Sequence, residues 1–275
     1  MRSFCIKLND KNYSDYLLKN LENSKRNIQF SYHKFKVYHN IIVHYLRYDY
    51  FSFLSDFSHL LSDLIIDFYE KKIIKSLILI NYFYLSTFEQ EQVYNICVKE
   101  LGHNTSFKQK EYISSKIFEY LCNNKTMIVH GFITFRLPEY IKFLDSIVDI
   151  SVNKFIIDKE YFNLIELLKN YLDENSPLCD VVHLVYKDGN SILLDKNENI
   201  ISEDKNFFGK KFLSDITFSS NDYAINTLLT LLPKKLFIHS TEEDEFINTL
   251  KLVFSNRIIM CNGCALCNKS NILFI

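Results

Sequence analysis

The sequence predicts an α+β protein with a mainly helical body, an N-terminal βαββ-like element and a small C-terminal α/β domain. Three observations lead to this fold class. Strand-like and helical patterns alternate in the first 50 residues, helical spacing then continues to Leu172, and short apolar runs separated by turn residues follow Ser176-Pro177. These changes of pattern predict three domains, at 1–50, 51–177 and 178–275.

The N-terminal element begins with a predicted strand at Ser3–Leu8. A helix follows at Lys11–Asn23, where apolar residues recur at helical spacing. Apolar and polar residues alternate between Asn27 and Tyr45, which predicts two further strands. The order of these patterns is β, α, β, β.

The helical body begins at Phe51 with one apolar stripe that lies opposite a polar face. The stripe contains Leu54, Phe57, Leu60, Leu61, Leu64, Ile65 and Phe68. Four further helices are predicted at Thr87–Leu101, Lys108–Leu121, Phe132–Ile157 and Tyr161–Leu172. Thr87 is the expected N-cap of the first of these four, with Gln90 three residues later, and Gly102 is its expected end. Pro138 is expected to kink the third.

The C-terminal domain begins with a predicted β-hairpin. Its strands, Val181–Tyr186 and Ser191–Asp195, flank the sequence KDGN at 187–190, which favours a tight turn. Helices and strands alternate after it, at Asp222–Leu232, Leu236–His239, Glu243–Phe254 and Arg257–Met260. The last two strands are joined by one helix, the usual connection between parallel neighbours in a βαβ unit.

The composition limits the classes of function. Of the 275 residues, 48% are hydrophobic and 24% are charged, which is typical of a globular protein with a substantial core. The net charge of −1 disfavours binding to nucleic acid or anionic lipid over the whole surface. The 24 Phe and 18 Tyr residues have A/T-rich codons, so genome composition explains them better than base stacking does.

The sequence also predicts a cytoplasmic protein without a membrane span. Only a short apolar run lies between Arg2 and Lys7, so no signal peptide is expected. The longest apolar stretch, Ile73–Leu85, is interrupted by polar residues and is too short to cross a bilayer. Seven cysteines are an odd number and four of them are scattered, which does not indicate an extracellular disulfide framework.

Three cysteines lie within the sequence CNGCALC at 261–267, and Cys261, Cys264 and Cys267 are the candidate metal ligands. The Asn-Gly pair between the first two tolerates the positive φ angles of a tight metal-binding turn. A tetrahedral zinc site needs a fourth ligand. Because parallel neighbouring strands end at the same edge of a sheet, His239 and Cys261 should lie close together. His239 is therefore the predicted fourth ligand of a Zn²⁺ site.

Two other interpretations of these cysteines stay open. The C-x₂-C-x₂-C spacing is similar to part of a bacterial iron–sulfur motif, in which case Cys179 would have to supply the fourth thiolate from a distance. The same thiols could instead be reduced, metal-free groups in a short C-terminal tail.

Arg136 is the other candidate site. It lies in an almost wholly apolar helix, where an unpaired guanidinium would be costly. A buried ion pair with Glu139 or Glu166, or a site for an anionic ligand, is therefore expected at Arg136.

Three segments carry a resemblance to a known family. They read GFITFRL at 131–137, VHLV at 182–185 before an Asp-Gly turn, and LTLLPKKLFIH at 229–239. By their order and spacing, from Asp56 to the C-terminus, the chain resembles the YtxC-like sporulation proteins of endospore-forming bacteria. The resemblance implies a cytosolic protein of a spore-forming cell that is associated with sporulation. It implies no reaction, cofactor or catalytic residue.

These patterns together predict a non-enzymatic sporulation factor that acts through an unidentified protein partner, with a candidate structural zinc ion at its C-terminal cysteines. One alternative is a metal- or thiol-dependent redox enzyme that uses the same cysteines. A second alternative, a nucleic-acid-binding regulator, follows from His33, His39 and His44, which lie among basic and aromatic residues. A solvent-exposed β-ribbon is the simpler interpretation of those histidines, so nucleic acid is a disfavoured partner.

Overall fold

The computed structural model of the chain describes residues 2–23, 28–45, 49–103, 108–201, 219–240 and 242–267. The chain forms two compact units, Met1–Ile157 and Asp158–Ile275. Each unit contains a four-stranded sheet with both parallel and antiparallel pairs, together with helices. The predicted α+β class is confirmed.

The sheet of the first unit contains the predicted βαββ element. Its parts are β1 (Arg2–Leu8), α1 (Lys11–Asn23), β2 (Ile28–Lys34), β3 (His39–Tyr45) and a later strand, β4 (Thr126–Ile128). The strand order is β2-β3-β1-β4, in which β1 pairs antiparallel with β3 and parallel with β4. The sequence analysis missed β4, because three residues are too few to show a period of two.

The helices of the first unit lie close to their predicted positions. They are α2 (Tyr50–Leu64), a π-helical segment (Ile65–Tyr69), α3 (Glu70–Asn81), α4 (Thr87–His103), α5 (Gln109–Asn123), α6 (Val129–Arg136) and the first part of α7 (Pro138–Glu174). The predicted cap of α4 is wrong by one residue. The Ser86 backbone N–H and hydroxyl both donate to the carboxylate of Glu89 at 2.8 Å, so Ser86 rather than Thr87 precedes the helix. The helix also continues through Gly102 to His103.

Pro138 separates two helices rather than kinking one. Helix α6 ends at Arg136 and α7 begins at Pro138, where the missing N–H of proline removes no hydrogen bond. The predicted helix at Tyr161–Leu172 is part of α7, which runs for 37 residues. Neither Gly nor Pro lies between Ile157 and Tyr161, so nothing in the backbone ends the helix there.

The expected burial of Arg136 is wrong. Arg136 is the last residue of α6, its side chain is exposed, and its guanidinium carbon lies 5.9 Å from the centre of the Tyr120 ring. The aromatic face and water together stabilise the charge, so no buried partner is required. Glu139, one expected partner, lies 3.4 Å from Lys142 instead. The argument for a buried ion pair or an anion site at Arg136 therefore fails.

A tyrosine–carboxylate pair joins the core of the first unit to a partly buried glutamate. The ring of Tyr140 is fully buried, and its hydroxyl donates to Oε2 of Glu70 at 2.6 Å. Burial raises the pKa of Glu70 above 4.5, and the hydrogen bond from Tyr140 only partly opposes that effect. The native unit therefore holds a carboxylate that is harder to ionise than it is in the unfolded chain.

We expect Glu70→Gln to stabilise the protein near neutral pH and to have little effect near pH 4. In the native protein Glu70 keeps its proton to a higher pH than in the unfolded chain. Wild-type stability is therefore lost as pH rises from 4.5 through the native pKa, whereas glutamine stays neutral and still accepts from Tyr140. Urea unfolding at the two pH values measures this, with the exposed Glu139→Gln as control. An equal gain at both pH values would contradict the electrostatic explanation.

The second unit contains the predicted hairpin and βαβ unit. Its elements, besides the end of α7, are β5 (Cys179–Lys187), β6 (Asn190–Leu194), α8 (Ser220–Leu231), β7 (Pro233–His239), α9 (Glu245–Val253) and β8 (Ile258–Met260). The strand order is β6-β5-β7-β8, in which β5, β7 and β8 are parallel. The hairpin turns at Asp188 and Gly189, which both have positive φ as a two-residue turn of this hand requires.

The two faces of the second sheet are covered differently. Helices α8 and α9 and the end of α7 pack on one face around a buried apolar cluster. The other face carries Val185 and Leu194, which pack with Leu266 from the segment after β8. His183 and His239 alternate with residues of the first face, so they lie on this second face.

Candidate metal centre

The centre begins with two parallel strands that end side by side. His239 is the last residue of β7, and Cys261 directly follows the last residue of β8. Ile238 and Met260 are register partners, and the Cys261 N–H donates to the Ile238 carbonyl at 2.9 Å. The structure therefore places His239 and Cys261 together at the carboxyl edge of the sheet.

A tight turn brings the second and third cysteines back to the first. Gly263 has φ +112°, a conformation that residues with a Cβ rarely adopt. The chain reverses there, so that Cys264 returns toward Cys261. Residues 265–267 are helical, which places Cys267 one turn after Cys264.

Four of the six distances between the donor atoms are those of a tetrahedral metal site. The Sγ atom of Cys267 is 3.7 Å from that of Cys261 and 3.9 Å from that of Cys264. His239 Nδ1 is 3.4 Å from Cys264 Sγ and 3.6 Å from Cys267 Sγ. A zinc ion with ordinary bond lengths separates two sulfurs by about 3.8 Å and a sulfur from a nitrogen by about 3.5 Å. All four donor atoms lie within 4.8 Å of one another, so the group can hold a metal ion.

The surroundings of His239 favour the neutral imidazole, which is the form that binds a metal ion. Burial lowers the pKa of His239, the neighbouring His183 lowers it further, and only 5% of the residue is exposed. His239 Nε2 lies 3.0 Å from Nδ1 of His183. When Nε2 carries the proton and donates it to His183, the lone pair of Nδ1 points at the thiols. This is the tautomer that a metal at Nδ1 requires.

The surroundings shift the pKa values of Cys261 and Cys264 in opposite directions. Burial opposes ionisation of Cys264, but the backbone N–H groups of Cys267 and Leu266 and the neighbouring thiols outweigh it and lower the pKa of Cys264. At Cys261 the N–H of Gly263 favours the thiolate, yet burial and the two neighbouring thiols raise its pKa. A divalent cation would remove that mutual opposition, since three thiolates can share one positive centre.

His183 is a functional candidate that the sequence analysis missed. Besides its contact with His239, its ring stacks on Phe237 with centroids 5.1 Å apart. Outer hydrogen bonds of this kind orient a metal-binding histidine. Strand register produces this contact, because His183 is the register partner of Phe237 and therefore a diagonal neighbour of His239 on the same face. The sequence alone does not give that register.

Cys179 does not belong to this cluster. It is the first residue of β5 and pairs with Pro233, the first residue of β7. His239 lies at the other end of β7, about 20 Å away at the usual rise per residue. The iron–sulfur interpretation with Cys179 as the fourth ligand is therefore wrong.

The N-terminal histidines do not converge on one surface. His33 pairs with Asn40, so it lies on the sheet face that also carries His44. His39 lies on the opposite face, where its ring stacks on Tyr32. His44 is 2.8 Å from the hydroxyl of Ser3. Within the described part of the chain, the one group that could hold a metal ion is the cluster at 239 and 261–267.

Comparison with known proteins agrees with the resemblance noted in the sequence. A sequence model of the YtxC-like family matches residues 55–259, about three quarters of the chain. The chain belongs to the YtxC-like family. The matched region includes His239 but ends before Cys261, so the three cysteines lie outside it.

A relative in Bacillus subtilis (strain 168), named "Uncharacterized protein YtxC", is 25% identical over 133 residues. The match covers 48% of this chain and 47% of that protein, so the chain spans about half the length of the curated relative it matches. No solved structure matches the chain. Among the described helices, none is long and apolar enough to cross a membrane.

Proposed function

We propose that this YtxC-like protein holds a structural zinc ion at His239, Cys261, Cys264 and Cys267. The observation that carries the proposal is the donor geometry, because two sulfur–sulfur and two sulfur–nitrogen distances match those around tetrahedral zinc. Three thiolates and one imidazole form a ligand set that suits zinc, whereas magnesium and calcium prefer oxygen ligands.

Four protein ligands make the centre structural rather than catalytic. A catalytic zinc usually keeps one position for water or substrate, whereas this donor set fills all four. Leu266 lies between two of the ligands in sequence and packs on Val185 and Leu194. A bound ion would therefore hold Leu266 against the second face of the sheet, and metal binding would contribute to folding.

The cellular role that we propose rests on the family and not on the site. A YtxC-like protein in the cytoplasm of a sporulating cell would act through contact with a protein partner, with the zinc ion supporting the shape of the second unit. A zinc ion held by four protein ligands would have no open position for substrate, which disfavours a metal-dependent enzyme. The separation of His33 and His39 onto opposite sheet faces disfavours a nucleic-acid surface built from the N-terminal ribbon.

The metal content of the full chain, purified without a tag, tests the proposal. We expect about one zinc ion per chain, and less than about a tenth of an ion in the double variant Cys261→Ser/Cys264→Ser, because two ligands no longer hold the ion. Cys122→Ser and Cys179→Ser remove thiols elsewhere and should leave the zinc content unchanged.

Wild-type protein with less than about a tenth of an equivalent of zinc would end the proposal of a structural zinc site. If the purified protein contains iron and acid-labile sulfide instead of zinc, then the site holds an iron–sulfur cluster whose fourth ligand is not Cys179.

A further inference from the structure

A cavity opens beside the proposed metal centre. It has a volume of about 400 Å³ and its wall includes His239, Cys261 and Cys267. Polar side chains complete the wall, among them Tyr186 and Ser240. A cavity of this size and polarity admits a small polar reagent.

The three thiols differ in their position relative to the cavity. Cys261 and Cys267 line the cavity, whereas Cys264 packs against the apolar cluster of Val185, Leu194 and Leu266. The two sulfurs that line the cavity lie 3.7 Å apart. A disulfide requires about 2.05 Å between its sulfurs, so a modest side-chain movement would join them.

From this arrangement we propose that Cys261 and Cys267 form an oxidative modification site, at which a hydroperoxide converts two zinc thiolates into a disulfide and releases the ion. The inference rests on the proposed zinc centre. A structural zinc site alone does not require a cavity beside two of its ligands, whereas a site of thiol oxidation does.

The reaction balances in two steps. The Cys267 thiolate attacks one oxygen of hydrogen peroxide, so that an S–O bond forms while the O–O bond breaks; the product is a sulfenic acid, and the departing hydroxide takes a proton from solvent and leaves as water. The Cys261 thiolate then attacks the sulfenic sulfur, so that the S–S bond forms while the S–O bond breaks, and the second hydroxide also takes a proton from solvent and leaves as water. The two sulfurs together lose two electrons and the peroxide gains them.

Loss of the two thiolates dismantles the centre. Only Cys264 and His239 remain as ligands, and two ligands do not hold zinc tightly. Leu266 then loses its anchor on Val185 and Leu194. Oxidation therefore uncovers apolar surface on the second face of the sheet.

The test treats zinc-loaded full-length protein with hydrogen peroxide, follows released zinc with a chromogenic chelator, and maps the disulfide by peptide mass spectrometry. We expect about one zinc ion released per disulfide formed, with Cys261 linked to Cys267. Cys122→Ser, which removes an exposed thiol of the first unit, should release zinc at the wild-type rate.

A variant that narrows the cavity tests whether peroxide reaches the thiols through it. Lys187 is partly exposed, is the last residue of β5 and lines the cavity from outside the ligand segment. Lys187→Trp should keep its zinc but release it about tenfold more slowly with peroxide, because reagent access limits thiol oxidation.

The outcomes separate this inference from the proposed function. Protein that contains no zinc before treatment overturns both. Protein that contains zinc and keeps it in peroxide overturns the modification site alone. Zinc release with Cys264 in the disulfide overturns the assigned pair, and an unchanged release rate in the zinc-loaded Lys187 variant overturns the route through the cavity.

Discussion

Cys264→Ala is expected to lower the free energy of unfolding of the second unit by about 4 kcal/mol when free zinc exceeds the dissociation constant about a thousandfold. The physical reason is linkage, since an ion that binds only the native state stabilises it by RT ln(1 + [L]/Kd), where [L] is the concentration of the free ion. Urea unfolding measures the loss of free energy of unfolding. Hydrogen exchange of the β6 amides shows whether that loss arises next to the proposed zinc site. Leu194 of β6 packs directly against Leu266, so its amide protection should fall first.

Metal removal is the control for this prediction. In the presence of a strong chelator the same substitution should cost about 1 kcal/mol, the size of an ordinary packing loss. Cys179→Ala is the matched variant, because Cys179 is also partly buried in the second unit but lies at the other end of the sheet. Its effect should be the same with and without chelator. A chelator-independent loss at Cys264 would show that the thiol acts through packing alone.

His183→Leu is expected to weaken zinc binding by about 10- to 100-fold, the usual effect of removing an outer hydrogen-bond partner from a metal-binding histidine. Leucine keeps apolar contact with Phe237 but offers no acceptor for the Nε2–H of His239. The ring of His239 can then turn or change tautomer, and its Nδ1 lone pair no longer points at the thiols for all of the time. Competition with a chromophoric chelator measures the dissociation constant.

His183→Asn provides the conservative comparison. The side-chain oxygen of asparagine occupies nearly the position of a histidine Nδ1 and accepts a hydrogen bond, so affinity should return most of the way to wild type. If the leucine and asparagine variants bind zinc equally well, then the hydrogen bond between the two histidines does not position the ligand. Thermal unfolding of both metal-free variants separates altered affinity from altered folding.

Much of the architecture was predictable because local patterns determine local structure. The helix at Lys11–Asn23 has the bounds predicted from its apolar spacing, and the Asp188-Gly189 turn follows from residues that tolerate positive φ. The closeness of His239 and Cys261 was also predictable, although they are far apart in sequence. It needed only two strands, one connecting helix and the rule that such strands run parallel.

The features that were missed depend on contacts between distant segments. Strand β4 exists because its three residues pair with β1, and no period within Thr126–Ile128 reveals that. Arg136 looked buried from its apolar neighbours, yet its position at the end of α6 lets the guanidinium reach solvent over Tyr120. A helix pattern specifies which residues share a face but not where that face ends against the rest of the protein.

The sequence by itself determined the alternation of elements and the turn chemistry, because each follows from short-range stereochemistry. It also indicated the four residues of the candidate metal centre, because the ligand preferences of side chains are known. Only the tertiary structure decided the separations between those donors, the contact of His183 with His239, the exclusion of Cys179 and the cavity beside Cys261 and Cys267. These depend on strand register and on which face of the sheet each side chain occupies, and a shift of one residue would reverse every one of those faces.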